Sequence, residues 1–150
     1  MFSQTPAPTY TLVKHLNQML TPYVPSRYSL QSSVEFLEAI KDTPGTRIIA
    51  SLNMESPFTN VPVDETIDII LEHVYRSQLT ETLNIPEASL CMLLELNRQK
   101  DGMAMGSPLG VLFANFHVGT MEKSVFTRMQ QPRRYIRYID DIFKLTQRMR

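Results

Sequence analysis

Tryptophan is absent from this chain, cysteine occurs once, and glycine only five times in 150 residues. A single thiol, Cys91, excludes an internal disulfide and a cysteine-based zinc cluster, and it fits an intracellular setting. Neither sign of charge predominates: 15 basic residues offset 15 acidic ones, which leaves no global pull toward nucleic acid. No apolar run approaches the roughly 18 residues of a membrane span. The opening Met1-Phe2-Ser3-Gln4-Thr5-Pro6 has neither the basic start nor the apolar stretch of a secretory signal. Internal repeats and low-complexity tracts are missing too. What is present, 43% apolar and 20% charged residues, is the balance of one globular domain or a piece of a larger one.

Periodicity then gives the elements. Prolines at 6, 8, 22 and 25 bracket a helical pattern over 9–20, with Leu12, Leu16, Met19 and Leu20 on one face. Ser32 and Glu35 have the spacing of a capping box, so a second helix is expected from there to just before Pro44-Gly45. Residues 47–52 (RIIASL) read as a buried strand. Asp64 and Glu65 suit the first turn of a third helix, whose stripe is Ile67, Ile70, Leu71 and Val74. A fourth opens at Pro86 and carries Leu90, Leu93, Leu94 and Leu96. Asp101-Gly102 reads as a turn. A long helix from Pro108 carries Leu109, Leu112, Phe113, Phe116 and Met121. Segments 135–139 and 142–145 alternate like two strands joined at Asp140-Asp141. The order predicts an α+β fold with its strands in one small antiparallel sheet flanked by helices.

The sharpest chemical signal is Tyr138-Ile139-Asp140-Asp141 at the expected hairpin tip. Adjacent carboxylates at a strand end repel unless a cation neutralises them. Polymerases use such carboxylates to hold two Mg²⁺ ions about 4 Å apart for phosphoryl transfer. By average residue usage Tyr-x-Asp-Asp arises by chance in roughly one such chain in a hundred, and a solvated Asp-Asp turn is the bland reading. The stretch 102–110 (GMAMGSPLG) supplies small residues before a helix with proline first, a form that lets a nucleotide approach backbone amides closely. Alone it is an ordinary turn and cap. Residues 51–62 (SLNMESPFTNVP) alone are a strand-to-helix connection. Seven basic residues lie between Arg128 and Arg150 (Arg128, Arg133, Arg134, Arg137, Lys144, Arg148, Arg150), opposed only by Asp140 and Asp141. They form either a phosphate-contacting stretch or a solvated face.

Taken together and in order, these segments resemble the reverse transcriptases of Penelope-like retroelements. Residues 53–62 with Asp64-Glu65-Thr66-Ile67 are similar to that family's motif A and the helix after it. Residues 102–110 with Ala114-Asn115 resemble motif B, and 137–143 motif C. The run from Pro8-Thr9-Tyr10 through Lys14, with Pro25 and Tyr28-Ser29-Leu30, resembles its fingers. The resemblance implies a right-hand polymerase truncated before the thumb: a fingers-like helical region over 1–45 and a partial palm over 46–150, with motif A at 51–62, B at 102–115 and C at 137–143. It implies RNA-directed DNA polymerisation with two Mg²⁺ ions, an RNA template, a DNA primer and deoxynucleotide triphosphates, no membrane, and a nuclear location.

Carried over residue by residue, Asp140 and Asp141 become metal-binding catalytic carboxylates, and Met54 offers its backbone carbonyl to a metal. Phe58 becomes the gate against a ribose 2′-hydroxyl, with core packing as its plainer role. Met105, Gly106, Ser107 and Tyr138 fall at the nucleotide and template pocket.

Three features depart from the family. Asn53 stands where the family has the metal-bridging aspartate. A carboxamide is neutral and offers one carbonyl oxygen, so metal binding and catalysis are expected to fall by orders of magnitude. Glu55 shares the strand face of Asn53 but lies roughly 6–7 Å along it. The segment 96–100 is shorter than the family's, and a truncation at Arg150, without the family's thumb, is expected. The expectation is an inactive copy. The alternative is a non-catalytic nucleic-acid-binding remnant resting on the basic stretch, and a third reading is an inert remnant. His15, His73 and His117 fall in expected helices with no nucleophile pattern beside them, so a hydrolase has no support.

Overall fold

A computed structural model describes residues 8–25, 27–30, 32–41, 47–54, 60–76, 83–96, 98–99, 102–103, 107–129, 134–138 and 141–147; everything below concerns these. The fold is mixed, as expected: five α-helices, a three-stranded antiparallel sheet, and a separate two-stranded ladder. Its contacts divide it into two compact units, one of 1–25 and 58–117, the other of 26–57 and 118–150.

The first unit is helical. It holds α1 (Pro8–Leu20), α3 (Val63–Leu71), α4 (Glu87–Glu95) and the N-terminal half of α5 (Pro108–Arg128). Val13, Leu16 and Leu20 form the buried stripe of α1, while Leu12 is exposed and Met19 half-buried. The stripe is thus centred one residue away from the expected face; with Leu12 and Val13 adjacent, about 100° apart on a helix, only one can point inward. On α3, Ile67, Ile70 and Val74 are buried as the pattern requires, with Leu71 half-buried. Thr66 is fully buried beside them, and its hydroxyl donates to the Pro62 carbonyl at 2.7 Å. Thr66 is tolerated inside because that bond replaces the water it loses.

Beyond Leu71 the helix widens into a π-turn over Glu72–Arg76. Further on, the Tyr75 hydroxyl donates to the Ile85 carbonyl at 2.7 Å. Helix α4 has Pro86 as its N-cap and buries Leu90 and Leu94, but Leu96, just past its end, is 71% exposed. From α5 come Leu109, Leu112, Phe113, Ala114 and Phe116, which complete one continuous apolar core. Met121, placed on the same stripe by pattern, is exposed. Short strands β2 (Arg98–Gln99) and β3 (Gly102–Met103) pair antiparallel, so Gly102 is a strand residue; the Asp101 half of the expected turn lies outside the described residues.

The second unit carries the sheet. Strands β1 (Arg47–Asn53), β4 (Arg134–Tyr138) and β5 (Asp141–Gln147) run in the order β1-β5-β4, all antiparallel. β1 is a strand as expected but is not buried at its end, where Ser51 is exposed and Leu52 is 58% exposed. Helix α2 (Ser33–Lys41) begins as the capping pattern requires: the Glu35 amide donates to the Ser32 hydroxyl at 3.3 Å. Phe36 of α2 meets Phe143 of β5, ring centroids 4.6 Å apart.

Candidate functional site

Register decides which chemistry-bearing residues meet. Asn53, the last residue of β1, is the Cα partner of Asp141, the first residue of β5. Tyr138, the last residue of β4, is the partner of the same Asp141. Directly opposed residues in a sheet share a face, with Cβ atoms about 4.5–5.5 Å apart. One sheet end therefore gathers a carboxamide, a carboxylate and a phenol from three strands. Asn53 and Asp141 are exposed and Tyr138 is half-buried, so the group is open to a ligand. Met54 follows directly after β1 and is half-buried.

Strand β4 is fixed by an interaction that the residue pattern did not announce. Glu122 of α5 is 6% exposed and Arg137 of β4 is 1% exposed. The Arg137 Nε donates to Glu122 Oε1 at 2.8 Å, and the Tyr135 hydroxyl donates to the same oxygen at 2.8 Å. Burial and the hydrogen bond to Glu122 raise the Tyr135 phenol well above its usual range, with only partial opposition from Arg137. Tyr28, Phe126 and Tyr135 pack edge-to-face around this pair, centroids 4.8–5.8 Å apart. The backbone of Arg137 is held as well: its amide donates to the Tyr28 carbonyl at 2.8 Å, and the Leu30 amide donates to its carbonyl at 2.8 Å. Ser29 thereby bridges Arg137 in parallel on the outer side of β4. The residue before Tyr138 is thus secured from both its side chain and its main chain.

Among the described side chains of the basic stretch (Arg128, Arg137 and Lys144), Arg137 is the one whose reading changes. It is neither solvated nor turned toward a phosphate, because its guanidinium is buried against Glu122. Arg128 and Lys144 are exposed and remain available to an anion. Glu122 lies three residues beyond the buried Gly119, about one helical turn on and on the same side of α5. Its partner, in contrast, lies on another element with no local signal.

Ser107 caps α5: its hydroxyl accepts from the Leu109 amide at 3.3 Å, and its carbonyl accepts from the Gly110 amide at 2.9 Å. Pro108 takes the first helical position, as expected. Ser107 lies in the first unit, whereas Asn53, Tyr138 and Asp141 lie in the second. Asp140, Phe58, Met105, Gly106 and Glu55 lie outside the described residues.

The described donors at the strand end, Asn53 and Asp141, would not by themselves hold two Mg²⁺ ions; Asp140 lies outside the described residues. The facing pair supplies one negative charge and one neutral carboxamide oxygen, whereas holding two dications a few ångströms apart requires several carboxylate oxygens. Among the described residues no three His, Cys, Asp or Glu side chains cluster as metal ligands. Also among these residues, no helix is long and apolar enough to cross a membrane. No protein-family model matches the chain, and a search of curated proteins finds no match to it.

Proposed function

We propose that the chain is the fingers-and-palm part of an RNA-directed DNA polymerase of the Penelope-like retroelement type, and that this copy does not catalyse nucleotide transfer. The reaction proposed for its intact relatives adds a deoxynucleotide to a primer 3′ end on an RNA template, with two Mg²⁺ ions. The observation that supports this reading is the strand register. It brings the motif A position, Asn53, against Asp141 and Tyr138 of the motif C segment, two stretches far apart in sequence. That convergence is what a polymerase palm requires of those segments. Asn53 accounts for the inactivity, since the position opposite Asp141 lacks the charge that would stabilise a metal-bound transition state.

The test is primer extension on an RNA template with Mg²⁺, paired with binding of a fluorescent primer–template read by anisotropy. Binding without extension is expected, and it should weaken steeply with added salt as phosphate contacts are screened. Extension by the unaltered chain would overturn the inactivity. Absence of any primer–template binding at low salt would overturn the polymerase reading itself.

A further inference from the structure

The same strand end has a consequence for folding. In an antiparallel ladder, like charges placed directly opposite are destabilising. An aspartate at position 53 would set its carboxylate against that of Asp141, with Asp140 next in the chain. At this exposed strand end the two carboxylates would repel, and a bound cation would relieve the repulsion. Asn53 changes this: its carboxamide carries no charge, and its N–H₂ group is a donor suited to a facing carboxylate.

We infer that Asn53 makes the pairing of β1 with β5 independent of divalent cations, taking at this strand end the place that a bound ion would hold between two carboxylates. The charge argument rests on register alone. The cation argument rests also on the polymerase reading proposed above.

Thermal melts of the full chain in EDTA and in MgCl₂, matched for low ionic strength so that exposed charges are not screened, test this with three proteins: the unaltered chain, Asn53→Asp, and Asn53→Asp combined with Asp141→Asn. The unaltered chain should melt at the same temperature in both buffers. Asn53→Asp should melt roughly 2–5 °C lower in EDTA and return to the parent value in MgCl₂. The double variant, with the same two groups exchanged across the ladder, should match the parent in EDTA. Amide exchange at Ile142 and Phe143, followed by NMR, reads the same closure locally and does not depend on a sharp melt.

The inference is overturned if Asn53→Asp is unchanged in EDTA, if Mg²⁺ fails to restore it, or if Mg²⁺ stabilises the unaltered chain as much as the variant. Because these readouts contain no nucleic acid, loss of primer–template binding alongside the expected melts would sink the polymerase reading while leaving the cation-independent pairing in place.

Discussion

The two units hide different things. Among the described residues, the unit of 1–25 and 58–117 buries sixteen apolar side chains in one cluster and a single polar one, Thr66. Among the side chains described in the unit of 26–57 and 118–150, the buried ones are apolar Ile136 and the charged pair Glu122 and Arg137. The first is held by area removed from water, which is tolerant of direction. The second adds to its aromatic contacts a ladder of backbone bonds and a buried ion pair, which demand direction. The lesson is that the polar strand-end group sits on the part whose geometry is specified most narrowly, while the apolar unit contributes bulk stability.

The largest effect that would break this contrast comes from the ion pair. Glu122→Ala removes the carboxylate from a buried guanidinium and from the Tyr135 hydroxyl, and should cost about 3–5 kcal/mol, measured by urea unfolding. Replacing both partners with apolar residues, Glu122→Leu with Arg137→Met, should recover most of that loss. A double variant as unstable as Glu122→Ala alone would show that the pair itself, and not merely the need to avoid an unpaired buried charge, holds the unit. Phe113→Ala in the apolar cluster should cost a similar amount, about 3–5 kcal/mol, but no polar partner substitution should rescue it.

A smaller effect sharpens the contrast from the other side. Thr66→Val keeps the shape and removes the bond to Pro62, so about 1 kcal/mol should be lost in the same denaturation. A loss several times greater would mean that the apolar unit also depends on directional contacts.

The smallest effect is confined to alkaline pH. Tyr135 has its pKa raised from 10.0, first by burial and then by Glu122, so its neutral form is favoured in the folded state. The sign follows: its contribution is full below pH 10.0 and is lost as pH rises from there toward the folded value. Melting temperature recorded from pH 8 upward should therefore fall above about pH 10, and less steeply in Tyr135→Phe. Tyr75 in the apolar unit is raised in the same direction, by burial and by Glu87, so some slope should remain in that variant. Identical slopes with and without the Tyr135 hydroxyl would remove its role.

Sequence made the helices legible where apolar residues recur at helical spacing and a start signal is present: the first-turn acids of α3, Pro108 of α5 and Ser32 of α2. It was weaker where two apolar neighbours compete for one face, as Leu12 and Val13 do, and at Leu52, an apolar residue left outside the core. The meeting of the Asn53 and Asp141 segments was expected from the residue pattern only as two pieces of one small sheet, and from the family resemblance as parts of one metal site. Their exact partnership depends on register, which is fixed by the whole ladder rather than by either segment. Arg137 illustrates the same limit. A basic residue in a basic stretch reads as surface until a distant carboxylate is found against it.

The outer side of β4 and the outer side of β1 are not alike. Ser29 and its neighbours occupy the first at Arg137, where a parallel bridge uses both the amide and the carbonyl. Beside β1, on the side away from β5, no described strand lies. A seven-residue strand reading RIIASLN thus offers a row of amides and carbonyls with no ladder partner among the described residues. Such open margins are templates for another strand, and proteins usually blunt them with charge, proline or a covering segment. Among the described residues, β1 is thus the margin of this sheet open to strand addition.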